Sequence, residues 1–297
     1  MAIHTMGGVV VEDEGEGDAV VCLHGLGGTS NTWTALMPAL AGYRVIRPDL
    51  PGSGRSAGAL TRVPSGTAVY EQPATDADRD TVDARRLAVS AANPSMTIEQ
   101  MAQSILAICQ RLDISRAHIL GHSMGTIVAQ HLAVAQPRLV RSLSLFGPLV
   151  APPDTARANI RARGEKARSE GTRGMHEIAL TLVNASLSAD TRQRLPVSVA
   201  FVRESLMRQD PQAYARSCDA LAAAVPAAVE RIEAPVLLVT GDEDGVAPPQ
   251  AVRGMAERLA NAQGVRVVVL NRCGHWTPIE RPEECARELR QFLPAQR

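Results

Sequence analysis

Short apolar runs alternate along the chain with longer stretches in which apolar residues recur at helical intervals. Ala19–Leu23, Arg44–Pro48, Ala117–Leu120, Ser142–Phe146, Pro235–Thr240 and Val265–Leu270 are rich in Val, Ile or Leu and are mostly closed by Gly, Pro or Asp. Each predicts a strand. The unbroken apolar character of Val236–Val239 and Val267–Leu270 predicts strands buried on both faces, as in a parallel sheet. Gly8–Val11 predicts an antiparallel edge strand.

Between the strands the period changes. Thr97-Ile98-Glu99-Gln100 has the spacing of a capping box, and Ile98, Met101, Ile105, Ile108 and Leu112 then fall on one helical face. Thr126–Ala135 continues a helix that begins at Ser123, while Pro248–Ala260 and Pro282–Phe292 open with proline near the first turn, where its missing N–H costs nothing. This order of elements predicts an α/β fold, a mostly parallel, doubly wound sheet with helices on both faces.

Two stretches break the alternation. Residues 148–229 read as helix only, over Asp154–Arg168, Gly174–Leu187, Val197–Met207 and Pro211–Ala224. Lying between two strands, they predict a helical cap inserted into a core formed by residues 1–147 and 230–297. Residues 57–95 are rich in Ala, Thr, Asp, Arg and Pro and have little periodicity. That composition buries too little surface to fold alone, so the expectation is a long mobile insertion on the rim of the site.

Charge narrows the function classes. Lys plus Arg and Asp plus Glu both number 31, a balance that gives no footprint for nucleic acid or an anionic membrane. With no apolar run of membrane length and no leader pattern, a cytoplasmic protein acting on a small molecule is expected. The cysteines (Cys22, Cys109, Cys218, Cys273, Cys285) are odd in number and lack a Cys-x-x-Cys pair, which suits reduced thiols. The seven histidines contain no His-Glu-x-x-His motif, so neither a metal nor another cofactor is expected.

Gly121-His122-Ser123-Met124-Gly125 carries the chemistry. It matches Gly-x-Ser-x-Gly and stands between a predicted strand and a predicted helix, the setting of a strained turn that exposes a nucleophilic serine. Ser123 needs a base. His275, in Cys273-Gly274-His275-Trp276, follows the last strand by a short loop, on the sheet edge that bears Ser123. The orienting acid belongs on the loop after the preceding strand, where Gly241-Asp242-Glu243-Asp244-Gly245 offers three. The Gly-x-x-Asp spacing favours Asp244 over Asp242 and Glu243. His24-Gly25-Leu26-Gly27-Gly28 lets the backbone approach a substrate closely, so the amides of Leu26 and Met124 are expected to form an oxyanion hole.

His24–Gly28, Asp49–Ser56, Gly121–Gly125, Gly241–Asp244 and Gly274-His275 together resemble the α/β-hydrolase family over nearly the whole chain apart from 57–95. The resemblance implies a triad of Ser123, His275 and Asp244. Members named by this pattern include esterases, lactonases, carbon–carbon bond hydrolases and cofactor-free haloperoxidases. Similar dehalogenases and epoxide hydrolases carry Asp in place of Ser123. Arg157–Arg173, Leu206–Ala215 and Cys218 are similar to the cap of 3-oxoadipate enol-lactonases. Cys273–Trp276 resembles the carbon–carbon hydrolases of ring cleavage, which more often have Asn in place of His122.

The expected activity is therefore hydrolysis of a carboxylic ester or lactone. The rivals are carbon–carbon hydrolysis, perhydrolysis, and a ligand-binding receptor with little turnover. Trp276, Trp33 and Phe146 are candidate pocket-lining residues, though the two tryptophans could equally be core. Asp49 is expected to order a turn, His24 its own loop, His131 to pack or face solvent on its helix, and the cap arginines (Arg157, Arg161, Arg163, Arg168, Arg173) to form a solvated face, though one could bind a substrate carboxylate.

Overall fold

The computed structural model describes residues 1–59 and 96–294, so most of the 57–95 insertion lies outside the described residues. The chain opens with a hairpin of β1 (Ala2–Met6) and β2 (Val9–Glu14). Its two-residue turn, Gly7-Gly8, has φ of +60° and +84°, the positive values that tight hairpins require. The expected Gly8–Val11 edge strand is thus longer, and it lies one place inside the edge. β1 went unread because most of its side chains are exposed and it carries no apolar run.

The remaining strands are β3 (Ala19–Leu23), β4 (Arg44–Pro48), β5 (Ala117–His122), β6 (Val140–Phe146), β7 (Val236–Gly241) and β8 (Val265–Leu270). They form one sheet in the order β1-β2-β4-β3-β5-β6-β7-β8. β2 pairs with β4 antiparallel, and β3 to β8 are parallel to their neighbours.

The apolar runs are continuous because alternate residues enter different cores. Val21, Leu23, Val236 and Leu238 face one cluster; Val20, Cys22, Leu237 and Val239 face the other. The first is covered by α1 (Ile98–Arg111) and α2 (Met124–Ala135), with α7 (Pro249–Arg258). The capping box of α1 is formed, with Gln100 N–H donating to Thr97 Oγ1 at 3.2 Å and Thr97 N–H to Gln100 Oε1 at 2.9 Å. The second cluster is covered by a 3₁₀ segment, Ser30–Leu40, and by the helix Pro282–Phe292 (α9, after the short α8, Thr277–Glu280). The five cysteines are free and buried, shared between the two cores.

Between β6 and β7 the chain is helical: α3 (Asp154–Ser186), α4 (Ala189–Arg194), α5 (Pro196–Met207) and α6 (Pro211–Ala223). The two helices expected over Asp154–Leu187 run into each other, bent at Gly171 with φ 60° and ψ −133°. α4, not foreseen, is started by the Ser188 side chain, which accepts from Thr191 N–H. Among the described residues no helix is long and apolar enough to cross a membrane.

Two glycines separate backbone strain from packing. Gly254 lies inside α7, and Gly171 at the bend; neither has an atom within 4 Å of where a Cβ would sit. Gly254→Ala should stabilise by about 0.5–1 kcal/mol. Gly171→Ala should destabilise by about 1–3 kcal/mol through its positive φ alone. Urea unfolding midpoints at constant m-value measure both.

Candidate active site

Ser123 stands between β5 and α2 with φ 50° and ψ −120°. The turn closes only because its neighbours lack side chains. A Cβ at Gly121 would lie 2.7 Å from the Gly125 carbonyl oxygen, and one at Gly125 would lie 2.3 Å from that of Leu23. Ser123 N–H donates to the Phe146 carbonyl at 2.9 Å, which ties the turn to the end of β6.

His275 comes to this serine from beyond β8. Ser123 Oγ donates to His275 Nε2 at 2.8 Å, and His275 Nδ1 donates to Asp244 Oδ2 at 2.9 Å. The ring lies so close to Gly147 that a Cβ there would meet Nδ1 and Cε1 at 2.9 Å. Asp244 is 2% exposed, and its Oδ1 accepts the Val246 and Ala247 amides at 2.8 Å each. Burial alone raises its pKa. The charge and hydrogen bond of His275 and those two amides outweigh burial and bring it down to about 2. The other two acids face elsewhere: Asp242 accepts Cys273 N–H and Glu243 accepts Ala189 N–H.

His122 packs against this pair, its ring 5.3 Å from both His275 and Trp276. Its Nε2 donates to the His275 carbonyl at 3.0 Å, and burial and the neighbouring His275 push its pKa down to about 3, so it is neutral. His24 orders its own loop: Nε2 accepts Leu50 N–H at 2.8 Å and Nδ1 donates to the Gly25 carbonyl. Asp49 holds a turn, accepting from Ser30 N–H, Arg55 N–H and the Arg55 side chain.

The glycine-rich loop forms a turn in which Gly28 N–H donates to the Gly25 carbonyl at 3.0 Å, with Gly27 at φ +77°. Positive φ at the third position is the mark of a type II turn. Leu26, at the second position, is half-buried, and its amide donates to no group among the described residues. Met124 N–H, at the first position of α2, has no acceptor within the helix.

Two of the three lining candidates lie within the core. Trp33 and Phe146 are 0% exposed and pack edge-to-face at 5.7 Å within the core under the 3₁₀ segment. A side chain that no water can touch lines no open pocket, so these two belong to the core. Trp276 is also buried, with Nε1 donating to Ser186 Oγ at 3.1 Å. Of the cap arginines, Arg157 donates to the Ala222 and Ala224 carbonyls, Arg168 pairs with Glu165 and Asp219, and Arg173 pairs with Glu170.

Glu280 was not singled out from the sequence. It is 1% exposed and accepts three amides: Ser188 at 2.8 Å, Gly274 at 3.1 Å and Trp276 at 3.1 Å. One carboxylate thus holds both neighbours of His275 and the start of α4. Its only sequence signal is an acid set between the apolar Trp276–Ile279 stretch and Pro282.

A profile of the alpha/beta hydrolase fold family matches residues 18–282. The chain belongs to the α/β-hydrolase family. This hydrolase is 29% identical over 290 residues to a 2-hydroxymuconate semialdehyde hydrolase of Pseudomonas sp. (strain CF600), covering 95% of this chain and 89% of that one. It is also 29% identical over 293 residues to the dihydrolipoyllysine-residue acetyltransferase component of the acetoin cleaving system of Pseudomonas putida. That match takes in 93% of this chain but spans only 64% of the relative's length. Among solved structures, an enol-lactonase from Burkholderia xenovorans LB400 superposes with a TM-score of 0.77 at 24% identity, covering 99% of this chain and 100% of that one. At that identity the likeness speaks for the fold alone.

The depressed Asp244 pKa ties this site to stability. Its contribution, on the order of 2 kcal/mol, is fully present above the unfolded value near 3.9 and is lost as pH falls through about 2. Asp244→Asn should therefore flatten the stability curve in that window, as read by urea unfolding at stepped pH. Glu280→Gln should cost about 1–3 kcal/mol at neutral pH, because an amide nitrogen replaces an acceptor that faces N–H groups.

Proposed function

We propose that this chain is a serine hydrolase that cleaves a carboxylic ester or a lactone through an acyl-enzyme, with Ser123 as nucleophile, His275 as base and Asp244 as its orienting acid. One observation carries the reading. Asp244, His275 and Ser123 form an unbroken hydrogen-bonded chain, 2.9 Å then 2.8 Å, that ends on a half-buried hydroxyl at a strained turn.

Ser123 Oγ attacks the carbonyl carbon while its proton passes to His275 Nε2. The charge that develops on the carbonyl oxygen is met by the Leu26 and Met124 amides, each worth about 3–4 kcal/mol to such a transition state. His275 gives its proton to the leaving oxygen as the carbon–oxygen bond breaks. Water then attacks the acyl-enzyme, passing a proton to His275, which returns it to Ser123 Oγ as the acid leaves. Every proton and electron pair comes from Ser123, His275 and water, so the relay calls for no cofactor.

The second reading, carbon–carbon hydrolysis, draws support from the 2-hydroxymuconate semialdehyde hydrolase among the relatives. His122 weighs against it. A side chain at that position could assist a dienoate only by reaching it, and here its one N–H is committed to the His275 carbonyl beneath the imidazole.

Ser123→Ala should lower ester turnover by about 10⁶ and Asp244→Asn by about 10⁴, with the fold intact. Asp242→Asn should have little effect on turnover. A fluorophosphonate should add once, at Ser123, in the intact mass spectrum. For the reaction class, kcat/KM for aryl esters and lactones should exceed that for 2-hydroxy-6-oxo-dienoates. A hundredfold preference for the dienoate would overturn the ester reading and leave the nucleophile assignment standing.

A further inference from the structure

The cap meets the core at the turn that carries Leu26. Ser205, in the last turn of α5, donates its hydroxyl to the Gly27 carbonyl at 2.7 Å. Gln209, just past the end of α5 and 5% exposed, sets its side-chain nitrogen 3.2 Å from the Gly27 carbonyl oxygen and 3.3 Å from that of Gly28. The same nitrogen lies 2.9 Å from the Ser205 carbonyl oxygen, which fixes the plane of the amide. Its oxygen accepts Gly54 N–H at 3.0 Å, so one side chain bridges two core loops. Leu206 closes the remaining side: a Cβ on Gly27 would come within 2.4 Å of Leu206 Cδ2.

Peptide units are rigid planes, and this turn is already closed from Gly28 N–H to the Gly25 carbonyl. Holding the Gly27 and Gly28 carbonyls therefore holds the turn as a body, and the direction of Leu26 N–H with it. We propose that Ser205 and Gln209 are positioning residues for the oxyanion donor, so that the cap sets the alignment of Leu26 N–H on a reacting carbonyl. This rests on the assignment of Leu26 made under the proposed function. Plain docking of the cap accounts for neither the paired carbonyl contacts nor their placement on this particular turn.

The test compares an ester with its thionoester, matched in acyl and leaving groups. Sulfur accepts hydrogen bonds poorly, so thionoester turnover depends little on amide alignment. The measurement is kcat and KM for both, normalised to Ser123 titrated with a fluorophosphonate, so that a misfolded fraction does not count. Ser205→Ala and Gln209→Ala should each lower ester kcat by about tenfold to a hundredfold, less than outright loss of a donor. KM should stay within about twofold, and thionoester kcat should fall less, so the ester-to-thionoester ratio drops. Gln209→Glu keeps an acceptor for Gly54 N–H but loses the donor and should lower the ratio in the same way. Ser205→Thr keeps the hydroxyl and should hold the wild-type ratio. An unchanged ratio in the Ala variants, whether or not kcat falls, overturns the proposal. Should the wild-type protein be phosphonylated at Ser123 yet hydrolyse neither ester, the ester reading fails by itself. The phosphonylation rate, which also builds charge on an oxygen, then replaces the ratio and is expected to fall in the Ala variants. An unchanged rate overturns the inference there too.

Discussion

The backbone of Ser123 is the constraint around which the molecule is arranged. A non-glycine residue at φ 50° and ψ −120° costs about 1–3 kcal/mol and persists only where its surroundings leave no alternative. Here β5 must end and α2 must begin within a single residue, so α2 lies so close to β3 that a Cβ on Gly125 would collide with the Leu23 carbonyl. The bond from Ser123 N–H to the Phe146 carbonyl then fixes the turn to β6. The strain lifts the hydroxyl above the sheet edge, where loops from β7 and β8 can reach it.

Those loops do not stand by themselves. The loop carrying His275 is fastened through Glu280 to the start of α4, and His275 N–H donates to the Ser186 carbonyl at the end of α3. Arg281 extends the fastening with a 2.8 Å ion pair to Asp190 and donates to the Asn271 carbonyl. On the opposite side the Gly25–Gly28 turn is fastened to α5. The helices between β6 and β7 are thus part of the scaffold that holds the His275 loop on one side and the Gly25–Gly28 turn on the other.

The sheet and the strained turn at Ser123 were legible in the sequence because both rest on local signals. Runs such as Val236–Val239 announce burial on two faces, and Gly121–Gly125 announces a turn that only glycine at either end permits. β1 lacked such a signal, being mostly exposed. Phe146 misled because nearness in sequence to the site says nothing about the side a residue faces: its carbonyl meets Ser123 while its ring enters the opposite core. Glu280 was illegible for another reason. Its role is defined by three backbone amides, one of them 92 residues away, and backbone amides leave no trace in residue identity.

The buried cysteines have a consequence for how the molecule meets reactive chemicals. Burial pushes the Cys22 and Cys109 thiols up to about 12 and raises those of Cys218, Cys273 and Cys285 as well. Only the thiolate is a strong nucleophile and the entry point to sulfenic acid, and at neutral pH almost none of it is present. An electrophile or a peroxide arriving at this surface therefore finds no ready thiolate to react with. Sulfur thus serves here as filling for the two cores and not as chemistry.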